Sequence, residues 1–501
     1  MSGSAPAGIR RAAERARNSA PRSAVLVVMC VGYFLVLLDV TIINVALPRI
    51  GSGLGAGVAG LQWVVDGYAL ALACLMLASG TAGDRYGHRR LVSLGLAVFG
   101  AGSLLCGLAP GVAVLVAGRV VQGVGAALML PGTLAVISHA YPGRGEQARA
   151  IGIWAGIGSL ALPAGPLLGG LLVDGLGWRS VFLVNVPLVV LALAAVWLLA
   201  RESREPRARP PDLPGLATGS PALLAFTFAV IQAGHGGGAA ATLAVVLALA
   251  AGLVLAALFV RVERRRGDDA MLPLRLFARP AFSLANLAAG AMNLGTLGTL
   301  FVLTLFLQSV QHRSPLGAGL ALIPLFSPLA VLAPIAGRLA GRLGPRLPTV
   351  LGLVVGAAGI ALLTIAGPGS PYPVLLPAFL LWGIGMGILT PAVVAAAVSE
   401  VEPERAGLAS AVNNTARQTG GAMGIAAAGA ISGAPGGPGF MSGFHAVAAA
   451  AAGLWLAVAA AALAVLPGPL LPGSLGSGSL ASGSLGSGSP EAGRDDGHDR
   501  G

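Results

Sequence analysis

Two aspartates that lie inside long apolar runs are the residues of this chain best placed to do chemistry. Asp39 lies in FLVLLDVTIINVALP and Asp66 in LQWVVDGYAL, and the other acids fall at the edges of such runs or between them. An ionised aspartate at the centre of a membrane helix costs about 2.5 to 3.5 kcal/mol on insertion scales, so it is expected to face a cavity or a charged partner. A carboxyl group in this position can change its charge by binding and releasing a proton.

The composition shows what surrounds these aspartates. Of the 501 residues, 55% are hydrophobic and only 10% are charged, with a mean hydropathy of +0.84, whereas soluble domains carry about 25% charged residues. Fourteen apolar runs are long enough to cross roughly 30 Å of hydrocarbon. They lie near 24–48, 60–82, 91–109, 112–137, 148–173, 179–200, 214–234, 239–260, 281–309, 315–340, 347–367, 372–398, 405–432 and 444–467. The sequence therefore predicts an all-α integral membrane protein with 14 transmembrane helices.

The arginines predict the orientation of these helices. A basic leader at 1–23 precedes the first run, as in a signal peptide, but this run is longer than a signal core of ~7 to 15 residues and contains Asp39. We interpret it as an uncleaved span. With the N-terminus in the cytoplasm, 26 of the 31 basic residues fall on the cytoplasmic side, where positive residues collect. Both termini are therefore predicted to be cytoplasmic, and the net charge of +12 indicates topology rather than a nucleic-acid partner.

Depth along the helices favours Arg119, in the fourth run, as the partner of Asp39. Asp39 lies about nine residues from the predicted outer end of its run and Arg119 about seven, so at ~1.5 Å per residue the two reach a similar level. Such a pair would be a switch that opens when Asp39 is protonated, and a static salt bridge is the alternative. Asp66 lies nearer the predicted outer surface, where we expect a solvated carboxylate that attracts cations or takes part in proton coupling.

An internal repeat indicates two homologous halves. GTAGDRYGHRR at 80–90 aligns without gaps with GRLAGRLGPRL at 337–347, and Gly341 in the second copy replaces Asp84. The matching residues are Gly80, Arg85, Gly87 and Arg89 with Gly337, Arg342, Gly344 and Arg346. Transporters that rock one bundle of helices against another are built from such repeats, although a basic, glycine-rich turn can also recur by chance.

Several of these motifs together resemble the major facilitator superfamily. GTAGDRYGHRR is similar to its loop signature, and LLDVTIINVALP resembles the first-helix signature of its fourteen-span drug:proton antiporters. LVAGRVVQGVGAA at 115–127 resembles the fourth-helix motif, and ALPAGPLLGG at 161–170 the fifth-helix antiporter motif. WRSVFLVNVP and ERAGLASAVNNTARQTGGAMG complete the set. The resemblance implies a major facilitator fold with six-helix domains at 24–200 and 281–467, two inserted helices within 201–280, and a Gly/Ser-rich tail at 468–501 that we expect to be disordered.

The resemblance and the residue pattern together name candidate site residues. The proton-coupling candidates are Asp39, Arg119 and Asp66. The gating loop comprises Gly80, Asp84, Arg85, Gly87, Arg89 and Arg90, although a solvated loop is the alternative, and the antiporter motif comprises Gly165, Pro166, Gly169 and Gly170. The cavity candidates are Gln122, Asn286, Asn293, Asn413 and Arg417, since polar groups at membrane depth face protein or water. Helix-to-helix hydrogen bonds explain the asparagines equally well, and Arg417 has no acceptor that the sequence identifies.

The sequence contains no signs of catalysis, of a metal or of a cofactor. Cys30, Cys74 and Cys106 lie in different predicted spans without ligand spacing, and no GxxxxGK[ST] loop for ATP exists. We therefore expect a monomeric, proton-coupled antiporter that exports lipophilic, mostly cationic drugs or antibiotics across the bacterial inner membrane. A carrier for one metabolite, such as an amino acid, a siderophore or a single antibiotic, is the alternative within transporters. A receptor or scaffold that does not transport is the alternative from another class.

Overall fold

The computed structural model describes residues 21–141, 143–200, 202, 212–234, 238–267, 270, 272–402 and 406–466, and long helices account for nearly all of them. None of these residues belongs to a β-strand, as expected where no water is present to bind free backbone groups. The long helices are α1 (Arg22–Leu54), α2 (Val58–Tyr86), α3 (His88–Gly107), α4 (Val112–Ala140), α5 (Arg144–Leu176), α6 (Ser180–Leu199), α7 (Leu213–Ala233), α8 (Ala239–Arg266), α9 (Pro280–Leu305), α10 (Pro315–Leu343), α11 (Arg346–Leu362), α12 (Tyr372–Val398), α13 (Ala406–Ser432) and α14 (Phe440–Val465).

The helix lengths agree with a protein that crosses the membrane many times. Thirteen of the described helices are long and apolar enough to span it, and α13 is not among them. α13 is 27 residues long and carries Asn413, Arg417 and Gln418. The number of fourteen spans therefore stays a prediction. Residues 1–20 of the leader and residues 203–211 of the linker lie outside the described residues. The tail at 468–501, which we predicted to be disordered, also lies outside them.

Two halves, α1–α6 and α9–α14, repeat the same local geometry. Within the repeated segments, α2 ends before Gly87 and α10 before Gly344, which have φ of 104° and 78°, a backbone conformation that favours glycine. The Cβ position of Gly80 faces Pro131 in α4 at 4.0 Å, and that of Gly337 faces Pro391 in α12 at 3.7 Å. The sequence repeat therefore corresponds to a structural repeat.

The two ends of the bundle differ in how the halves meet. The arginine-rich end is where α1 begins and where α2 connects to α3 and α10 to α11; the arginine-poor end is where α1 connects to α2 and α9 to α10. One apolar core joins both halves toward the arginine-poor end, with Ile50, Leu61, Phe306 and Leu322 among its members. Toward the arginine-rich end, the main apolar clusters belong to one half each. The halves are thus closed on each other at the arginine-poor end.

The inserted pair, α7 and α8, lies at the edge of the bundle. α7 packs on α2 of the first half and on α13 of the second, whereas α8 packs mainly on α7. The buried residues of α8 are Gly252 and Glu263, so its apolar side chains face the surroundings, which in a membrane are lipid.

Candidate functional site

A buried ion pair between α1 and α4 forms the centre of the first half. Arg119 donates a hydrogen bond from Nη1 to Oδ2 of Asp39, and the two side chains are 0% and 1% exposed. Arg119 also donates from Nε to the carbonyl oxygen of Val64 in α2 at 2.9 Å, and its guanidinium carbon lies 4.4 Å from the ring centroid of Tyr68. The structure therefore brings Asp39 and Arg119 into direct contact, and α2 holds the arginine from the other side.

Gln122 bridges the acid and the base of this pair. Its Oε1 accepts from Arg119 Nη1 at 2.9 Å, and its Nε2 donates to Asp39 Oδ1 at 3.3 Å. Two residues of α3 form the other hydrogen bonds of this amide. Nε2 donates to Ser103 Oγ at 2.8 Å, and Oε1 accepts from the Cys106 thiol at 3.4 Å. Each donor and acceptor of the Gln122 amide is therefore engaged.

Ser103 and Cys106 are members of this network that the sequence analysis missed. The only features of the sequence that could have indicated them are Gly102 and Gly118. A Cβ at Gly102 would clash with Gln122, and one at Gly118 would clash with the Cys106 sulfur. The two glycines let α3 and α4 approach closely enough for these contacts.

A small cavity of about 20 Å³ borders the network, enough for a single water molecule. Both halves contribute to its walls, which are formed by Val40, Asn44, Val65, Tyr68, Ala69, Arg119, Leu297, Gln418 and Ile425. Arg119 Nη2 is buried and has no hydrogen-bond partner among the described residues. A drug-sized molecule does not fit in this cavity, and residues of the two halves meet at its walls.

The expectation that Asp66 is a solvated carboxylate near the surface is wrong for this conformation. Its side chain is 0% exposed, and neither carboxylate oxygen has a hydrogen-bond partner among the described residues. One turn earlier, Gln62 donates to the carbonyl oxygens of Ile425 and Ala426 in α13 at 3.1 and 2.8 Å. The packing of α7 and α13 on α2 therefore shields Asp66, an effect that the sequence of α2 alone cannot indicate.

The gating-loop residues make their described contacts within the first half. Asp84 Oδ1 lies 3.0 Å from His88 Nε2, and Arg89 Nη2 donates to the Trp197 carbonyl oxygen at 3.2 Å. Arg90 Nε lies 3.5 Å from Glu202 Oε2. Arg85 lies over the ring of Tyr86 at 5.8 Å. The loop therefore rests on the C-terminal end of α6 and the start of α3, and its role as a gate stays a prediction.

Comparison with known proteins identifies the family. The family model described as Major Facilitator Superfamily matches residues 29–425. The chain belongs to the major facilitator superfamily. It is 38% identical over 406 residues to the multidrug resistance protein Stp of Mycobacterium tuberculosis, covering 81% of this chain and 75% of that protein. It is 35% identical over 421 residues to the methylenomycin A resistance protein of Streptomyces coelicolor, covering 83% and 86% of the two chains.

A solved structure supports the same fold. A bacterial homologue of the human lysosomal transporter Spinster, in an inward-facing and unoccupied conformation, superposes with a TM-score of 0.64 at 19% identity, covering 90% of this chain and 99% of the other. This likeness concerns the fold alone. Together with the family match, it confirms the predicted all-α major facilitator fold.

The antiporter-motif glycines of this major facilitator protein lie at two helix crossings. Gly165 and Gly169 of α5 face Thr41 and Ile42 of α1 in the same half, and a Cβ at Gly165 would clash with Thr41. Gly170 faces the backbone of Leu316 in α10 of the other half. The carbonyl group of Pro166 in turn faces Gly319 of α10. The motif therefore allows close packing of the kind expected from small residues in membrane helices.

The polar residues of the second half have different partners. Asn413 donates to the carbonyl oxygen of Ala285 and to Asn286 Oδ1, both at 3.4 Å, so the alternative of helix-to-helix bonding holds for this pair. Asn293 is 7% exposed. Arg417 is partly exposed, and its buried Nε has no hydrogen-bond partner among the described residues.

Proposed function

We propose that this protein is a proton-coupled antiporter that exports lipophilic drugs or antibiotics across the bacterial inner membrane by alternating access. The observation that carries the proposal is the buried network of Asp39, Arg119 and Gln122, which contains one group that can bind a proton and one fixed cation. Relatives named as a multidrug resistance protein and a drug efflux pump, at 38% identity, support drugs as the transported class. The protein acts as a monomer without a cofactor, and its partners are the substrate, protons and lipid.

The proton acts on the ion pair. While Asp39 is ionised, its carboxylate holds Arg119 Nη1, and Gln122 links the two. When Asp39 binds a proton, the charge attraction is lost, but Arg119 keeps its bonds to the Val64 carbonyl oxygen and to Gln122 Oε1. The guanidinium is then held by α2 and α4 rather than by α1. Protonation therefore weakens the tie between α1 and α4, and this change is coupled to the rocking of the halves.

The arginine-rich end faces the cytoplasm in this proposal, as the accumulation of positive residues favours. The conformation in which the halves meet at the arginine-poor end is then closed to the outside. Asp66, buried at a contact between the halves, is the second candidate for proton coupling. Its carboxyl group becomes accessible to protons when α2 and α13 separate.

A carrier for one antibiotic is the second candidate function. Its support is that other relatives are named for single compounds, such as the puromycin resistance protein of Streptomyces alboniger at 37% identity and the methylenomycin A resistance protein. A susceptibility panel of dyes, quaternary ammonium compounds and antibiotics in a host without its own pumps distinguishes the two. Reduced susceptibility to several classes of compound supports the broad exporter. Reduced susceptibility to a single compound supports the narrow carrier.

Substitution of Asp39 tests the coupling. In proteoliposomes, Asp39→Asn should abolish substrate accumulation driven by a pH gradient, because the side chain keeps its size but cannot bind a proton. Counterflow, the exchange of labelled for unlabelled substrate without a gradient, should persist. Asp39→Glu should retain part of the gradient-driven activity, and Asp66→Asn is the matched second variant. Uphill transport by Asp39→Asn would disprove the role of Asp39 and leave Asp66 as the remaining candidate.

A further inference from the structure

Gln62 of α2 ties the two halves together inside the bundle. Its Nε2 donates to the carbonyl oxygens of Ile425 and Ala426 in α13 at 3.1 and 2.8 Å, and its side chain is buried. These two bonds use both N–H groups of the amide. The amide lies against Gly429 of α13, where a Cβ would clash with it. The contact therefore depends on an amide of the first half and a glycine of the second.

Three buried oxygen atoms beside this contact lack a hydrogen-bond donor. They are Oε1 of Gln62 and both carboxyl oxygens of Asp66, and none has a partner among the residues that the structure describes. The two bonds to α13 set the orientation of the amide, because the reverse orientation would place Oε1 against carbonyl oxygens. Residues four apart on a helix are neighbours, and glutamine and aspartate side chains at this spacing can bond to each other. A proton on Asp66 would supply the missing donor, from its O–H to Gln62 Oε1.

The charged groups of the neighbouring helices lie elsewhere. α7 has no charged residue, and the one charged residue of α13, Arg417, lies two turns from Ile425 toward the arginine-rich end. Asp39 of α1 and Arg119 of α4 bond to each other on the opposite side of α2, and Arg49 of α1 is exposed. The other acids, arginines and histidines of α2, α3 and α4 lie at the arginine-rich end. Of the acids and bases on these helices, Asp66 alone lies beside Gln62.

The charge of Asp66 decides which partner suits the Gln62 amide. With Asp66 protonated, its O–H donates to Oε1 while Nε2 keeps its bonds to α13. An ionised Asp66 can only accept hydrogen bonds, so it repels Oε1 and attracts Nε2. Hydrogen bonds to a charged acceptor are stronger than neutral ones, and a buried charge without a partner is costly. An ionised Asp66 therefore draws the amide away from α13.

We propose that Gln62 is a proton-dependent lock at the arginine-poor end, which bonds α13 while Asp66 carries a proton and turns to Asp66 when that proton leaves. The lock rests on the export function proposed above and adds a positioning residue to it. Gln62 lies one turn, about 6 Å, closer to the arginine-poor end than Asp66, so its bonds to α13 lie between that end and the acid. A proton that reaches Asp66 from the water outside therefore closes the halves behind itself.

Carbodiimide labelling tests the lock in the purified full-length protein. The water-soluble carbodiimide EDC, with glycine methyl ester, converts a carboxyl group that it can reach into an amide, which mass spectrometry of peptides locates. Gln62→Met keeps the length of the side chain but has no N–H to donate. Labelling of Asp66 should rise about fivefold or more in this variant, since two hydrogen bonds that hold the closed form are lost.

Two controls separate an open lock from a damaged fold. Glu263, which is buried at the arginine-rich end of α8, should be labelled in Gln62→Met as in the native protein. Gln232→Met, at an exposed position of α7, removes an amide without a contact to α13 and should leave the labelling of Asp66 unchanged. Native labelling of Asp66 in Gln62→Met would show that Gln62 does not hold the halves closed.

The pH dependence of the distance between α1 and α13 tests the exchange of partners. Nitroxide labels on Ser52→Cys and Ile431→Cys, both exposed at the arginine-poor end, report this distance by pulsed EPR in a background without native cysteines. Raising the pH from about 5.5 to about 8.5, a range in which a proton-coupling group titrates, should increase the share of the longer distance. Asp66→Asn should keep the shorter distance throughout, because its amide can always donate to Gln62 Oε1.

The variants of Gln62 and of a second bridging glutamine separate the exchange from a general loosening. Gln62→Met should reduce the pH-dependent change by at least half. Gln308→Met removes another bond between the halves, to the Val45 carbonyl oxygen, and should retain the pH-dependent change. The exchange of partners is wrong if Gln62→Met responds to pH as the native sequence does, or if Asp66→Asn does.

Transport separates the lock from the export function. If Gln62→Met changes the labelling of Asp66 and the pH response, but the native protein moves no compound of the susceptibility panel along a pH gradient in proteoliposomes, the lock holds and the export function fails. If the native protein exports a drug and Gln62→Met shows native labelling and a native pH response, the export function holds and the lock fails.

Discussion

Two aspartates inside the first half have opposite surroundings although both are buried. Asp39 accepts hydrogen bonds from Arg119 and Gln122, whereas both oxygens of Asp66 have no partner among the described residues. Burying a charged or polar group without a partner is costly, and removing one partner of a buried ion pair leaves the other uncompensated. The same substitution should therefore change the stability of the protein differently at the two residues.

Thermal unfolding in detergent checks this expectation. Asp39→Asn should lower the free energy of unfolding by about 3 to 5 kcal/mol, since the Arg119 charge is left buried without its carboxylate. Asp66→Asn should leave the stability unchanged or raise it, because no ion pair is lost and a carboxyl group without a partner is replaced by a neutral amide. Equal destabilisation by the two substitutions would mean that Asp66 has a partner of its own in the solution structure.

Helix α5 is the element whose sequence sets the distance between the halves. Gly170 faces the backbone of Leu316, and Gly319 of α10 faces the carbonyl of Pro166. Nearby, Asp174 accepts from the Leu316 N–H at 2.9 Å, and Gln308 donates to the Val45 carbonyl oxygen at 2.8 Å. Close approach of α5 and α10 therefore accompanies polar contacts that hold the arginine-poor end closed.

Enlarging one of these glycines should open that end. Gly170→Leu forces α5 and α10 apart at an overpacking cost of about 1 to 3 kcal/mol, which disfavours the conformation described here. In a background without native cysteines, a maleimide should label Gln308→Cys faster when Gly170→Leu is present. Gly156→Leu is the matched control, because nothing lies within 4 Å of a Cβ at Gly156 on the same helix. Identical labelling rates in the two backgrounds would argue that the α5–α10 contact does not control closure.

At the scale of the whole molecule, the inserted helix α7 lies across the boundary between the halves. The Cys74 sulfur of α2 lies 4.0 Å from the Ser220 carbonyl oxygen of α7, and Thr227 of α7 donates to the sulfur of Met423 in α13 at 3.6 Å. Trp63, Leu70 and Cys74 share with Asp66 the face of α2 that α7 covers. When α2 and α13 separate, α7 has to lose contact with one of them.

Cross-linking tests whether this separation occurs. Joining Ser220→Cys to Cys74 fastens α7 to the first half, and joining Thr227→Cys to Met423→Cys fastens it to the second. Either cross-link alone should leave substantial transport, because α7 can move with one half. Both together should stop transport reversibly, with activity restored when a cleavable reagent is reduced. A doubly cross-linked protein that transports at the unmodified rate would mean that the halves do not separate at α7.

The sequence alone was sufficient for the class, the repeat and the central pair. Apolar length is a local property, so the spans could be located without a structure, and the glycine and arginine positions of the two loops indicated the repeat of Gly80 and Gly337. Depth along a helix follows from counting residues, which is why Asp39 and Arg119 could be matched. These inferences need only the rise of the helix and the thickness of the membrane.

The tertiary structure decided everything that depends on which face of a helix meets which neighbour. Ser103 and Cys106 reach Gln122 only because of the rotation of α3 against α4, and α7 and α13 bury Asp66, which the sequence placed in a solvated position. In a membrane, nearly every face of a helix is apolar, so hydrophobic periodicity carries little information about rotation. Packing of small residues supplies that information, and it becomes readable only once neighbouring helices are in place.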